Sequence, residues 1–425
     1  MSTTQATTAG PARKGLGAGY YRLWTASALS NTADGIFLVV LPLLAAQLSR
    51  SPALVAGVAL AQKLPWLVFA LPAGALADRL DRRRTMALVE TMRVVVIGAL
   101  AAATALGVAS IPMLFVAALL LGVGETLFDT AAQSVITAVV HPDDLVKANG
   151  RLYAAETTAN QFVGPPLGGL LAGVAVIGLS LGFGVSAGLF AAAAALLALM
   201  RGRFRPERPA ELAGRSLLGD IADGLRYLFG HRVLRTLAIM TGVQNLAFTA
   251  ATSVFVLYAV GPRAPMHLST SAYGLLWSAG GIGAVAGSLV VDRLQRRVGR
   301  TNVLTLSIIT GSLFTLVPAV ATGFLPVAAA WAVSSVGIVG WNVVTVSLRQ
   351  RITPGHLLGR VNAGYRLMAW GSMPLGSAVG GAIAEAFGLR AVFVFGAAIT
   401  LVLLALRPLV SEARLRAAEG TEPAA

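Results

Sequence analysis

Long apolar runs alternate with short polar stretches along almost the whole chain. Each run reaches the length of about 20 residues that an α-helix needs to cross the hydrocarbon core of a bilayer. The runs lie at about 22–48, 54–77, 85–108, 112–140, 146–174, 180–200, 233–260, 271–291, 301–322, 325–352, 358–387 and 389–407. The pattern therefore predicts an all-α integral membrane protein with twelve transmembrane helices.

The longest polar stretch separates the first six predicted spans from the last six. We accordingly expect five regions, namely a tail (1–19), an N-terminal six-helix bundle (20–200), a linker (201–232), a C-terminal six-helix bundle (233–408) and a second tail (409–425). Within the linker, Ile221, Leu225 and Leu228 share one side of a helix over 216–229. A short helix of this kind is typical of a membrane interface.

Composition narrows the class of protein. Charged residues make up 12% of the chain, against about a quarter in soluble domains, so a soluble multidomain enzyme is excluded. Cysteine is absent and the four histidines are scattered, which leaves no thiol chemistry and no candidate metal cluster, and we expect no cofactor. The net charge of +15 comes from basic residues between apolar runs, a distribution typical of a membrane protein rather than of one that binds nucleic acid.

The placement of lysine and arginine predicts the orientation. Basic residues crowd the loops after the second, sixth and eighth spans and are sparse in the alternate loops. The positive-inside rule then places both termini in the cytoplasm of a multi-pass protein of the plasma membrane. The first residues are polar and lack the apolar core of a cleavable signal peptide.

Two motifs recur at nearly the same distance. Asp78-Arg79 recurs as Asp292-Arg293, 214 residues later, and the Gly-rich segment that starts at Gly164 recurs from Gly376, 212 residues later. Both distances are close to half the chain length. They indicate two parallel six-helix repeats, an arrangement found in several transporter folds.

The loop after the second span resembles the loop motif of the major facilitator superfamily. It reads Gly74-Ala-Leu-Ala-Asp78-Arg79-Leu-Asp-Arg82-Arg83, with aspartate in place of the later glycine. The neighbouring residues are similar to those of bacterial exporters of the enterobactin and macrolide efflux type. The resemblance implies a twelve-helix transporter in which this loop, with its echo at Asp292-Arg293, is a gate. Asp78 would accept from a helix N-terminus of the other half; a merely positive inner loop is the alternative.

A second motif lies on the fifth span. Antiporters of the superfamily carry Gly-x-x-x-Gly-Pro-x-x-Gly-Gly there, and this chain has Gly164, Pro165, Gly168 and Gly169, with Asn160 at the first glycine. The resemblance implies export by antiport, while ordinary helix packing is the alternative. The arginine that drug antiporters often place on the fourth span is missing, and Glu125 and Asp129 lie there instead.

Ionisable residues at membrane depth are costly and are therefore candidate functional groups. At 1.5 Å per residue, Asp34 lies about 15 Å from the inner end of the first span, with Glu125, Asp129 and Glu156 at similar depth on the fourth and fifth spans. Lys63 lies about 21 Å from the inner end of its span, near enough to Asp34 in depth for the two to pair. Arg93 has Glu90 one turn away and is expected to form an inter-helix pair, with Asp129 as the candidate partner.

These acids are expected to face a central cavity, acidic on one side, with an arginine and aromatic residues on the other. The predicted lining consists of Asp34, Glu125, Asp129, Glu156, Asn31, Lys63, Trp66, Asn160, Gln244, Asn342, Arg366 and Trp370. A polar stripe on a membrane helix faces the bundle interior or a watery cavity.

Together these features predict a secondary transporter that exports an amphipathic or hydrophobic small molecule by proton antiport and alternating access. Its partners would be that molecule, protons and membrane lipid, and we expect a monomer that binds no nucleic acid. A proton symporter importing a polar solute, a lysophospholipid flippase and a receptor of transporter ancestry remain alternatives. No nucleophile–base pair or nucleotide loop suggests an enzyme, and substrate identity and charge stay open.

Overall fold

The computed structural model describes residues 16–69, 80–141, 144–200 and 217–420. The helices of the first half are α1 (Gly17–Leu48), α2 (Pro52–Val68), α3 (Arg82–Ala105), α4 (Ile111–Val139), α5 (Leu145–Thr157), a π-helix (Thr158–Val163), α6 (Gly164–Ala172) and α7 (Gly178–Ala198). Those that follow are α8 (Leu217–Gly230), α9 (Arg232–Ala259), α10 (Thr270–Val298), α11 (Arg300–Val320), α12 (Phe324–Ile352), α13 (Leu358–Phe387), α14 (Leu389–Val402), a 3₁₀ segment (Leu403–Val410) and α15 (Glu412–Ala418).

The membrane-spanning segments fall where the apolar runs predict them. Among the described residues, ten helices are long and apolar enough to cross a bilayer, and Pro52–Val68 is a shorter apolar helix. The remaining span is composite, because the π-helix interrupts it between α5 and α6. The prediction of twelve helices in two six-helix halves is thereby confirmed.

Local sequence signals set several helix ends. Ser51, Asp81 and Ser269 act as N-caps, and their side chains accept from backbone N–H groups three residues further on. Gly299 and Gly388 have φ values of +80° and +85° and form the tight connections from α10 to α11 and from α13 to α14. These left-handed positions favour glycine because a Cβ would be strained there.

Within each half, the helices pack through complementary faces. In the first half α3 and α1 both pack on α7, and α2 packs on α4; in the second, α10 and α11 pack on α12, and α9 on α13. Small residues allow the closest approaches: a Cβ on Gly283 of α10 would collide with the backbone of Ala332 on α12. Such small-residue contacts are typical of helices packed in a membrane.

The halves meet through α2 against α13 and through α6 against α10. We call the end of the bundle that carries Gly17 and Ala418 the termini face and the other end the opposite face. At the opposite face Glu385 Oε2 accepts from Ser51 Oγ (2.9 Å) and from the backbone N–H of Ala53 (3.3 Å). An acidic side chain of α13 thus lies at the N-terminus of α2, and the halves are closely packed there.

The linker contains a helix where the sequence predicts one. Helix α8 packs along α13, and Leu228 is fully buried. Asp223 of α8 pairs with Arg360 of α13 at 3.4 Å. The predicted apolar side of this helix therefore covers protein at Leu225, which contacts Gly364, and at Leu228, while the side chain of Ile221 lies outside the described residues.

Candidate functional site

A buried ion cluster joins α1 and α3 near the middle of the N-terminal half. Arg93 Nη1 lies 3.4 Å from Asp34 Oδ2 and 3.5 Å from Glu90 Oε1, and it donates to Ser30 Oγ at 3.1 Å. Ser30 Oγ in turn donates to Glu90 Oε1 at 2.8 Å. Arg93 and Glu90 are 1% and 0% exposed, whereas the Asp34 side chain is 31% exposed. Asp34 is therefore the least buried member of the cluster.

Aromatic rings hold the guanidinium in place. The Arg93 Cζ atom lies 5.4 Å from the ring centroid of Phe128 and 5.2 Å from that of Phe190. Such contacts stabilise a desolvated cation. A buried charge is tolerated when it is paired and hydrogen-bonded, and the acids and rings meet that need here.

Arg93, and not Lys63, is the cationic partner of Asp34. Lys63 is half-buried and forms no ion pair within the described part of the chain, although it lies within electrostatic range of Asp34. Nearness in depth therefore did not bring Lys63 and Asp34 into an ion pair. Arg93 does form the expected inter-helix ion pair, with Asp34 of α1, and it also pairs with Glu90 of its own helix. The side chain of Asp129, the candidate partner, lies outside the described residues.

The other predicted acids and amides of this half are less connected. Glu125 and Glu156 are half-buried and make no hydrogen bond or ion pair with any described residue. Glu125 lies within electrostatic range of Asp34. The Asn31 amide donates to the Ser27 carbonyl at 2.9 Å, a bond within its own helix.

The glycine-rich motif of the fifth span is a packing surface. A Cβ on Gly164 would lie 2.5 Å from Gly35 Cα, and one on Gly168 would lie 2.8 Å from the Ile36 carbonyl oxygen, so both glycines seat α6 on α1. Gly169 faces the other half, where its Cβ would lie 2.6 Å from the Thr270 oxygen. Pro165 is buried beside them, and a Cβ on Gly274 of α10 would lie 2.4 Å from the Pro165 carbonyl oxygen.

The π-helix brings Asn160 against α1. A Cβ on Gly35 would lie 2.7 Å from the Asn160 backbone oxygen. Asn160 therefore meets α1 through its backbone, at a point where the i→i−4 hydrogen-bond ladder is already interrupted. Helix irregularities of this type occur frequently at functional sites.

The predicted gating loop is only partly described. Gly74, Asp78 and Arg79 lie outside the described residues. Arg83 donates to the backbone oxygens of Ala198 (3.4 Å) and Met200, which ties the start of α3 to the end of α7, and Arg82 is the first residue of α3. In the second copy of the loop motif, Asp292 and Arg293 are exposed and make no hydrogen bond with a described residue. The gate itself stays a prediction.

The C-terminal half encloses a cavity of ≈360 Å³. Its lining includes Thr241, Gln244, Asn245, Phe248, Phe314, Trp341, Asn342, Tyr365, Met373 and Trp370. The cavity therefore contains three of the predicted residues, Gln244, Asn342 and Trp370. Cavities of this size hold small organic molecules.

Trp370 connects this cavity to the N-terminal half. Its ring meets the ring of Trp66 edge to face, with centroids 4.7 Å apart and an interplanar angle of 89°. The Arg366 Cζ atom lies 4.2 Å from the Trp370 ring centroid. Arg366 thus packs against an aromatic ring and is not part of the cavity lining.

Sequence reasoning missed several aromatic and hydroxyl side chains of the cavity. Phe248, Phe314, Thr241 and Tyr365 are uncharged, so a search for ionisable groups passes over them. Phe248 follows Gln244 by four residues and shares its helix face, which is a signal that could have identified it. Phe314 comes from another helix and has no such signal.

Twelve apolar helices in two repeated halves, with an ion cluster and a ligand-sized cavity inside the bundle, are the architecture of a multi-pass membrane transporter. The family model described as "Transmembrane secretion effector" matches residues 8–424. The chain belongs to this family of the major facilitator superfamily.

Individual relatives agree with this assignment. The chain is 30% identical over 392 residues to the multidrug efflux pump Tap of Mycolicibacterium fortuitum, covering 87% of this chain and 90% of that protein. It is 28% identical over 358 residues to the enterobactin exporter EntS of Citrobacter koseri, covering 80% and 79%.

Solved structures share the fold at low identity. The nucleoside transporter NupG superposes with a TM-score of 0.74 at 15% identity, covering 93% of this chain and all of that one. A bacterial homologue of the iron transporter ferroportin, in an inward-facing state, gives a TM-score of 0.73 at 16% identity, covering 93% and 99%. These likenesses concern the fold alone.

Proposed function

We propose that this transporter exports an amphipathic or hydrophobic small molecule in exchange for protons, by alternating access of its two halves. The observation that carries the proposal is the Asp34–Arg93–Glu90 cluster, in which a partly exposed carboxylate is paired with a fully buried cation. Relatives named as a multidrug efflux pump and an enterobactin exporter support the export direction.

The cluster offers a chemical basis for proton coupling. Arg93 faces two carboxylates, so its charge remains balanced by Glu90 when Asp34 takes up a proton. Protonation would remove the Asp34–Arg93 attraction, while the buried Arg93–Glu90 pair would stay in place. Protonation of Asp34 would therefore leave no uncompensated charge in the cluster, whereas its ionised form gives the cluster a net charge of −1, carried by the partly exposed Asp34 carboxylate.

Alternating access would use the contacts between the halves. The close contacts of Gly169 with α10 and of Glu385 with α2 lie at the opposite face. With the termini in the cytoplasm, as the lysine and arginine distribution predicts, this closed face is the outer one. The substrate site would then open to the cytoplasm, ready for loading.

Export can be tested in cells. A strain that overexpresses the protein is screened against dyes, antibiotics and siderophores for reduced accumulation, with and without a proton uncoupler. We expect reduced accumulation of at least one hydrophobic compound, abolished by the uncoupler. Increased uptake of a polar solute would instead favour the symporter alternative, and a gradient-independent effect would contradict proton coupling.

The role of Asp34 is tested in proteoliposomes with the compound identified in cells. Asp34→Asn should abolish substrate-induced proton movement, because an amide does not titrate. Asp144→Asn is the matched control, since Asp144 precedes α5 and makes no side-chain hydrogen bond with a described residue. Intact proton movement in Asp34→Asn would remove Asp34 from the mechanism.

A further inference from the structure

The C-terminal cavity and the ion cluster lie in different halves of the molecule. The cluster is formed by α1 and α3, whereas the cavity lining comes from α9, α11, α12, α13 and α14. No described residue of the cavity lining is an aspartate, glutamate, lysine, arginine or histidine. Two arginines lie behind the lining rings, with Arg349 Cζ 4.1 Å from the Tyr365 centroid and Arg366 Cζ 4.2 Å from the Trp370 centroid, but neither lines the cavity itself. A charged ligand would therefore lose hydration without an ionic partner among the residues that it contacts, which is unfavourable.

Aromatic rings form the apolar part of the cavity wall. Phe248 and Phe314 lie with their centroids 4.7 Å apart at an interplanar angle of 35°. Trp341 and Trp370 complete the wall from α12 and α13. Aromatic walls favour flat aromatic ligands, because offset stacking and edge-to-face contacts add to the burial of apolar area.

The polar edges of two of the aromatic residues are already occupied by the protein. Trp341 Nε1 donates to Thr241 Oγ1 at 2.9 Å, and the Tyr365 hydroxyl lies 2.6 Å from the same oxygen. Thr241 Oγ1 donates to the Leu237 carbonyl at 2.8 Å, so Tyr365 must be the donor in its bond with Thr241. The bond network fixes these rings and leaves the Trp341 ring as an apolar surface.

Two amide side chains, by contrast, are available to a ligand. Asn342 is exposed to the cavity and makes no side-chain hydrogen bond with any described residue. Gln244 has one long bond, from Nε2 to the Met240 carbonyl at 3.4 Å. The neighbouring Asn245 differs, since its amide is tied to the Ala369 carbonyl at 2.6 Å. A primary amide offers both donors and an acceptor, so Asn342 and Gln244 suit a ligand that carries both.

We propose that the C-terminal half alone binds an uncharged, planar aromatic part of the exported molecule, through Asn342, Gln244 and the aromatic wall. This inference rests on the proposed function in one respect, namely that the ligand of this cavity is the transported molecule. Substrate recognition and proton exchange are then separate tasks of the two halves. Trp370 lines the cavity and touches Trp66, so it is one contact through which occupancy of the cavity reaches the N-terminal half.

Three fluorescent tricyclic probes test the ligand class. Acridone is neutral and carries an N–H donor and a carbonyl acceptor, 10-methylacridinium is a cation, and anthracene-9-carboxylate is an anion. Their equilibrium binding to the purified protein in lipid nanodiscs is measured by fluorescence anisotropy, with no proton gradient. We expect acridone to bind at least about tenfold more tightly than either ion, because neither ion finds a counter-charge in the cavity. Equal or tighter binding of an ion would overturn the proposal.

Variants then locate the site. Asn342→Leu retains the side-chain volume but not the hydrogen bonds, and it should weaken acridone binding about tenfold. Asn302→Leu, at an exposed position at the start of α11, is the matched control and should leave binding unchanged. A monodisperse elution profile checks the fold of each variant. Equal effects of the two substitutions would exclude the cavity as the acridone site.

The same measurement separates this inference from the proposed function. Asp34→Asn should bind acridone within about twofold of the parent protein, because Asp34 lies in the other half. Loss of acridone binding in Asp34→Asn would show one shared site and refute the division between the halves. Tight acridone binding without proton-driven export would instead contradict the proposed function and leave the ligand class standing.

Discussion

An alanine at Gly169 should hold the two halves apart at the opposite face. A Cβ at this position would lie 2.6 Å from the Thr270 carbonyl oxygen and 3.1 Å from Gly274 Cα. Both are backbone atoms of α10, so no side-chain rotation can relieve the collision. Helices α6 and α10 must separate, and the closed arrangement of the halves is destabilised relative to the open one.

The size of the effect follows from general packing energies. Inserting a methyl group into a well-packed interface costs about 1–3 kcal/mol. A free-energy difference of this size changes a two-state equilibrium by about 5–150-fold. If the open state of the parent protein is a minor one, Gly169→Ala should make it readily detectable.

Two neighbouring glycines provide matched controls. Gly164→Ala places a methyl group 2.5 Å from Gly35 Cα, but within one half, so it should lower the unfolding temperature without opening the opposite face. A Cβ on Gly184 would meet nothing within 4 Å. Gly184→Ala should therefore leave the halves closed and add up to about 1 kcal/mol of helix stability.

Distances between spin labels report the opening. The chain contains no cysteine, so labels can be placed at Val176→Cys and Phe387→Cys, two exposed positions at the opposite face in different halves. Among the three glycine variants, we expect a longer distance to gain population only in Gly169→Ala. The same distance distribution in Gly169→Ala and the parent, or equal opening in Gly164→Ala, would refute the assignment of Gly169 to the interface between the halves.

Three further predictions concern charged side chains. Arg93→Met should lower the free energy of unfolding by about 3–5 kcal/mol by leaving buried Glu90 unpaired. Adding Glu90→Gln should restore part of that loss in chemical denaturation, whereas additive effects would exclude the pair. Glu385→Gln should weaken the contact with the α2 N-terminus by about 0.5–1 kcal/mol and populate the longer spin-label distance; an unchanged distribution would contradict this. Burial raises the pKa of Glu412, but the hydrogen bonds and charge of Arg300 outweigh burial and hold that pKa below its ordinary value of 4.5. Its stabilisation is therefore present above pH 4.5 and lost as the pH falls through the lower pKa of the folded protein, so Glu412→Gln should flatten the decline of the melting temperature in acid; an equally steep decline in the variant would contradict this.

The bilayer explains why so much of the fold could be predicted from the sequence. Every spanning helix must be apolar over a fixed length, which makes the twelve spans visible one by one. Helix packing, the alternative to antiport for the glycine-rich motif of the fifth span, could be foreseen in a similar way, because small residues such as Gly164 and Gly168 allow helices to approach closely. In both cases a local pattern is enough to predict the structure.

Side-chain partners could not be predicted in this way. Residue number along a helix gives depth in the membrane, and depth made Lys63 a reasonable partner for Asp34. Pairing also depends on the direction in which each helix turns its side chains, which is set by packing with distant segments. In the structure, Arg93 reaches Asp34 and Glu90 together, and Lys63 does not pair with Asp34.

The lining of the cavity in the C-terminal half could not be predicted from the sequence either. Charged residues are rare in the spans, so each one is a candidate functional group, whereas apolar residues such as Phe314 are common and only the three-dimensional structure shows which of them line the cavity.

The position of the cavity also limits how ligand binding and the proposed proton exchange can be linked, because a ligand shifts a conformational equilibrium only through different contacts in the two states. Asp34 and the cavity lie in separate halves, so the proposed coupling between them would pass through the interface between the halves. Trp370 connects the two regions, since it lines the cavity and contacts Trp66 across that interface. Movement of the halves must change this contact, and a ligand that fixes the Trp370 ring would thereby favour one arrangement over the other.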